Sequence, residues 1–83
     1  MERAGVVAVI VKHLRLNVDG LDDEPIDTTR SMLELGASSL DAVEVVMASM
    51  QELKVKVPRS RLSGLKNIDQ LADLFCGAQP PSA

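Results

Sequence analysis

The sequence predicts an all-α domain, a four-helix bundle with a long first loop and a short third helix. Three observations carry that expectation. Apolar residues recur at helical spacing in three separate stretches, and turn-forming residues gather between them. The third is size: 83 residues, 46% hydrophobic and 25% charged, suffice for one small globular domain. A chain this short buries only roughly 60% of the surface its unfolded form exposes, so the core is modest. Phe75 is the single aromatic residue, which leaves Val, Leu, Ile, Met and Ala to fill the interior. Aliphatic interiors of this kind re-pack at low cost and could open between helices to shelter an apolar chain.

In residues 6–16, Val7, Ile10, Val11 and Leu14 fall at i, i+3, i+4 and i+7, with Lys12 and Arg15 off that stripe. A strand is the rival reading, because Val6, Val7, Val9, Ile10 and Val11 are all β-branched. Period and length favour the helix. Residues 17–30 read as a long acidic loop, marked by Asp19-Gly20, Pro25 and Thr28-Thr29. Residues 31–35 suit a short helical turn that packs Met32, Leu33 and Leu35 inward, broken by Gly36.

The clearest helix spans residues 39–53. Leu40, Val43, Val46, Met47, Met50 and Leu53 form its apolar stripe, while Asp41, Glu44, Gln51 and Glu52 face outward. Ser38 occupies the N-cap position, and Asp41 three residues on makes a short relative of the capping box. Pro58 biases Val57 toward extended geometry and sets the latest possible end. Residues 59–65 make a short, weakly helical segment ending near Gly64. Asn67 then caps a last helix, with Gln70 at the capping-box position and Ile68, Leu71, Ala72 and Phe75 on its buried face. Gly77 ends it. The expected domain is therefore residues 1–77, followed by a disordered tail, 78–83, containing Pro80-Pro81.

Several classes of function are disfavoured at once. A net charge of −3 does not suit nucleic-acid binding, and the apolar run 6–11 is too short to span a bilayer. The lone Cys76 permits no disulfide within the chain, which fits a cytoplasmic home, and it reads as a small apolar filler. His13 has no triad partners in sequence and reads as a helix-surface residue. Asp22-Asp23-Glu24 lacks the spacing of a calcium loop. No metal site and no catalytic residue is expected.

The stretch Leu35-Gly36-Ala37-Ser38-Ser39-Leu40-Asp41, running into Val43-Glu44 and Val46-Met47, carries the chemistry. It resembles the phosphopantetheine-attachment motif of acyl carrier proteins, in which a Gly, two residues, a Ser and a Leu open the second helix. The register holds from Met32 to Pro58. The bottom-up reading agrees: a hydroxyl on the first helical residue projects from the helix end, where a phosphodiester meets free N–H groups and the positive end of the dipole. Gly36 lets the preceding loop approach without a Cβ.

The resemblance implies a discrete carrier, with no catalysis of its own. Its 4'-phosphopantetheine arm would be attached to Ser39 by a phosphopantetheinyl transferase using coenzyme A. Ser38 stands where the family usually has Asp, so a negative charge is missing beside the site, and Ser38 is itself a rival hydroxyl. Carriers of this family typically dock an acidic second helix onto basic patches of their enzymes. Leu40, Asp41, Glu44 and Met47 fit such a surface, and Met50 fits either it or the core. Lys54, Lys56, Arg59, Arg61 and Lys66 then reverse the sign, and Arg59 and Arg61 stand where many fatty-acid carriers are acidic. Polyketide or other specialised biosynthesis is therefore the expected pathway. The expected partners are an acyltransferase or aminoacyl-loading enzyme and a ketosynthase, the carrier acting as a monomer. A fatty-acid-synthesis carrier, an aminoacyl or peptidyl carrier and a small helical interaction module are the alternatives.

Overall fold

A computed structural model describes residues 2–18, 20–21, 25–58, 61 and 67–77. The first helix, α1, spans Arg3–Asn17, beginning earlier than the apolar spacing indicates. Its buried residues are Val6, Ile10 and Leu14, one per turn and almost in line, with Val7 half-buried beside them. The β-branched run does not make a strand here, because a single line of side chains every four residues already covers the core. Glu2 gives the N-cap no side-chain hydrogen bond. Instead Arg3 reaches across to the last helix: its Nε donates to Asp73 Oδ1 at 2.7 Å, and a terminal nitrogen lies 3.2 Å from Asp69 Oδ1.

Helix α2 spans Ser39–Leu53, the predicted limits. Its start is a reciprocal capping box. The Asp41 N–H donates to Ser38 Oγ and the Ser38 N–H donates to Asp41 Oδ2, both at 3.1 Å. Its end is a left-handed turn at Lys54 (φ 56°), where the Val55 N–H donates to the Met50 carbonyl at 3.1 Å. Val55 and Val57 then drop into the core.

The orientation of α2 departs from the expected stripe. Val45 and Ser49 are its fully buried residues, Val46, Met50 and Leu53 are half-buried, and Leu40, Val43 and Met47 are exposed. At 100° per residue the apolar positions of this helix cover an arc far wider than the ~100° a core-facing helix needs. The core takes one side of the arc and leaves the other in solvent.

Between α1 and α2 the chain is held by local pairings. Asp27 accepts from both the Thr29 hydroxyl and the Thr29 N–H. Ser31 and Glu34 pair reciprocally, N–H to carboxylate and N–H to hydroxyl, at 3.0 and 3.1 Å. The turn over residues 32–36 forms as expected, and Met32 and Leu35 pack against the core. Leu33 corrects the expectation: it is exposed, pointing away from its neighbours. Gly36 closes this turn at φ +106°. The glycine is required by that dihedral rather than by crowding, since an added Cβ would meet only Val18 Cγ1, at an ordinary 3.7 Å.

Helix α3 spans Ile68–Cys76, with Asn67 Oδ1 accepting from the Gln70 N–H at 2.8 Å. Ile68, Leu71, Ala72 and Phe75 are buried, as the spacing predicts. Two of the N–H groups at its start find acceptors in the long loop, Ile68 to the Arg30 carbonyl and Asp69 to the Thr28 carbonyl. That loop is thereby tied to α3. Cys76 is exposed rather than a core filler, because it falls one position past Phe75 and off the buried face.

Helix α1 is the element against which both α2 and α3 pack. His13 sits in the α1–α2 seam and corrects the surface expectation. Its side chain is only 15% exposed, and its Nε2 lies 2.9 Å from Glu52 Oε1, an oxygen shared with Lys12 Nζ. The described residues thus give an all-helical fold with three helices. The expected short helix over 59–65 lies outside them except for Arg61, which is exposed and donates its N–H to the Pro58 carbonyl. Asp22-Asp23-Glu24 and the tail 78–83 also lie outside the described residues. No helix among those described is long and apolar enough to cross a membrane.

Candidate attachment site

The start of α2 is built so that two adjacent serines do different things. The Gly36 turn delivers Ala37 into the core, where it is 5% exposed, and that anchor fixes where the helix begins. Ser38 follows in extended geometry and spends its hydroxyl on the cap. Ser39 is the first helical residue, exposed, and its side chain has no hydrogen-bond partner among the described residues. It is the free hydroxyl at the positive end of a 15-residue helix.

Electrostatics around it are set by short local pairs. The Ser31 N–H, and then its hydroxyl, hold the Glu34 carboxyl below its ordinary value. The Thr29 hydroxyl and N–H do the same for Asp27. Both remain charged anions at neutral pH. Asp41 is half-buried and directed back at the Ser38 N–H, so its carboxylate serves the helix start first. Glu44 is exposed. Leu40 is 68% exposed, Val43 53% and Met47 52%, and their i, i+3, i+7 spacing sets them in a ridge that starts at the residue after Ser39.

The residues singled out in sequence are thus distributed unevenly. Ser38, Ser39, Leu40, Asp41, Glu44 and Met47 come together on the outward side and N-terminal end of α2. Met50 is half-buried and packed on the core. Arg61 is exposed beyond Pro58, and Arg59 lies outside the described residues. Two residues were missed. The apolar stripe places Val43 inward, and the width of the apolar arc is the available signal against that. Ser49 carries no signal in the sequence, yet it is 0% exposed and its Oγ has no hydrogen-bond partner among the described residues. A buried hydroxyl left unpaired costs about 1–3 kcal/mol.

An exposed serine hydroxyl at a helix N-terminus, backed by a neighbouring serine that caps the helix by itself, fits a covalently attached phosphate-linked group. Comparison with known proteins agrees. Residues 10–75 match the family model of the phosphopantetheine attachment site. The polyketide biosynthesis acyl-carrier-protein AcpK of Bacillus subtilis is 31% identical over 75 residues, covering 90% of this chain and 92% of that protein. An acyl carrier protein of Campylobacter jejuni is 32% identical over 68 residues, covering 82% of this chain and 83% of that one. The fold superposes with a TM-score of 0.82 on a chain from the crystal structure of the curacin biosynthetic pathway HMG synthase in complex with acetyl donor-ACP. Identity there is 39%, over 90% of this chain and 96% of that one.

The chain belongs to the phosphopantetheine-attachment family, and within it to the acyl carrier proteins. It is a carrier rather than a catalyst, and its prosthetic group is covalent 4'-phosphopantetheine, which brings a terminal thiol for thioester formation.

Proposed function

We propose that Ser39 bears the phosphopantetheine arm and that the loaded carrier serves polyketide or related specialised biosynthesis, handing on a short acyl group. The division of labour at the start of α2 carries this reading: Ser38 is held in the cap while Ser39 is exposed and unengaged. A phosphopantetheinyl transferase would direct the Ser39 oxygen, losing its proton, onto the pantetheine-side phosphorus of coenzyme A. A phosphodiester forms as the diphosphate bond breaks and adenosine 3',5'-bisphosphate leaves; the capping box keeps that hydroxyl at a fixed place while it reacts. The likeness to a polyketide carrier and to a complex that contains an acetyl donor supports acetyl as the cargo, with an HMG-synthase-type enzyme as acceptor. Loading would fall to an acyltransferase or a ketosynthase-type partner.

The ridge of Leu40, Val43 and Met47, with Glu44 alongside, is the docking surface in this reading. Partners reaching for an arm on Ser39 must cover Leu40 first. With Asp41 engaged in the cap, Glu44 is the exposed acid on this face, so apolar contact supplies most of the adhesion and charge mainly sets orientation. The test is intact-mass measurement after incubation with coenzyme A and a broad-specificity transferase. The wild type and Ser38→Ala gain one phosphopantetheine, and Ser39→Ala gains none. A gain that survives Ser39→Ala but vanishes in Ser38→Ala moves the site by one residue, and no gain with several transferases removes the carrier assignment.

A further inference from the structure

The Ser49 hydroxyl does nothing for the fold. Among the described residues it is the one fully buried polar side chain, and its Oγ has no hydrogen-bond partner there. A serine inside a helix usually turns its hydroxyl toward water or toward the carbonyl four residues back. Here the Val45 carbonyl does not take it and solvent does not reach it. Buried groups of this kind are rare enough that each one asks for a partner.

Its surroundings indicate where a partner would come from. On one side of Ser49, α2 is closed by Val45, fully buried. On the other, Val46, Met50 and Leu53 are only half-buried. Met50 is adjacent in sequence to Ser49, and an unbranched thioether side chain re-packs at little cost. This looser flank runs down the helix that Ser39 opens. Ser49 lies ten residues (49 − 39) further along α2, about 15 Å of helical rise. An extended phosphopantetheine arm covers a span of that size.

We infer that Ser49 donates a hydrogen bond to the carbonyl oxygen of a short acyl thioester when the arm lies back along the Val46–Met50 flank between transfers. The inference rests on Ser39 as the attachment point. A carbonyl suits the site because it accepts a hydrogen bond and brings no donor that would itself need a buried partner. An alkyl group in the same place would leave the hydroxyl unpaired, so the hydroxyl distinguishes an acylated arm from one without a carbonyl, and the room beside it sets the chain length. Acetyl, small enough to enter without opening the bundle far, is the cargo that suits it best. The resting thioester would then be partly withdrawn from water, and docking at the Leu40–Met47 ridge would draw the arm out along the same helix.

The test begins with the holo protein acetylated on its arm with a carbon-13 label at the carbonyl. Mass measurement first establishes the arm on Ser39. Its absence there overturns the attachment reading and this inference together. With the arm in place, the labelled carbonyl resonance should be displaced from that of acetyl-pantetheine free in solution, and amide resonances over 45–50 should shift on acetylation. Ser49→Ala should return the carbonyl toward its free value, with the docked population falling about fivefold, the effect of one hydrogen bond of ordinary net strength. A second comparison needs no variant: an ethyl thioether arm of the same length, lacking the carbonyl oxygen, should leave residues 45–50 unperturbed. A carbonyl resonance equal to the free value in the wild type, or unchanged by Ser49→Ala, overturns the assignment. So does a shift at Ser49 that is already complete in the unacylated holo protein, which would give the bond to an amide of the arm.

Discussion

Helices α2 and α3 carry equally plain apolar patterns and use them differently. In α3 each of the four apolar residues expected on one face, Ile68, Leu71, Ala72 and Phe75, is buried. In α2 the expected stripe divides: Val46, Met50 and Leu53 lean on the core, Leu40, Val43 and Met47 stand in solvent, and a serine occupies a fully buried position. A helix that only supports the fold shows an apolar arc about as wide as the surface it packs against. A helix with more apolar surface than the core can cover, beginning beside a free hydroxyl, has surface to spare, which is the basis of the docking role proposed for it.

The largest expected effect tests the supporting side of that contrast. Phe75→Ala should destabilise the protein by about 3–5 kcal/mol, since Phe75 is fully buried and the largest residue in a small core. Denaturant unfolding reads this directly. By the same measurement Leu40→Ala and Met47→Ala should each stay within about 0.5 kcal/mol of the wild type, as exposed positions do. A loss of 2 kcal/mol or more at Met47 would mean that the ridge belongs to the core after all.

Next in size is the start of α2. Ser38→Ala removes the acceptor for the Asp41 N–H and should cost about 1 kcal/mol, while Ser39→Ala should cost far less. Equal losses at the two positions would undo the division of labour between them. At the other end, Lys54 holds a left-handed dihedral that costs an L-residue about 1–2 kcal/mol. Lys54→Gly removes that cost but adds roughly 0.5–1 kcal/mol of backbone entropy to the unfolded chain, leaving a small net stabilisation visible in the thermal midpoint.

The smallest effect is on pH dependence. Lys12, and secondarily His13, hold the Glu52 carboxyl below its ordinary value in the α1–α2 seam. Its folded pKa is lower than its unfolded one, so the stabilisation is present above the ordinary glutamate value of about 4.3. It is lost as pH falls through that value and on to the folded pKa. Glu34 and Asp27 contribute with the same sign. Glu52→Gln should flatten the acid limb of a stability–pH curve without abolishing it, and an unchanged limb would remove the Lys12–Glu52–His13 cluster from the account.

Much of this arrangement is legible in the sequence where local chemistry decides it. The limits of α2, the Ser38–Asp41 box, the Asn67 cap and the buried face of α3 all depend on residues within a turn or so of one another. What escaped depends on neighbours distant in the chain. His13 looks like a surface residue until Glu52, 39 positions away, closes over it. Hydrophobicity alone places Leu33 and Cys76 inward, and the turn geometry at Gly36 and the phase of α3 decide otherwise. Ser49 is silent because a serine in an apolar stripe carries no mark of whether it has a partner. The partition of α2 is set by how much of its arc α1 can cover, a property of two helices rather than one.

The pairing of Ser38 with Asp41 has a consequence for a protein that is loaded and emptied repeatedly. The bonds that close the helix involve the residue before the exposed hydroxyl and the residue two after it, and skip the hydroxyl itself. With the arm on Ser39, as proposed, a group would come and go there without any of these scaffold bonds being made or broken. Bare, armed and acylated forms should share one backbone, so a partner enzyme meets the same handle whatever hangs from it and must tell the forms apart by the cargo alone.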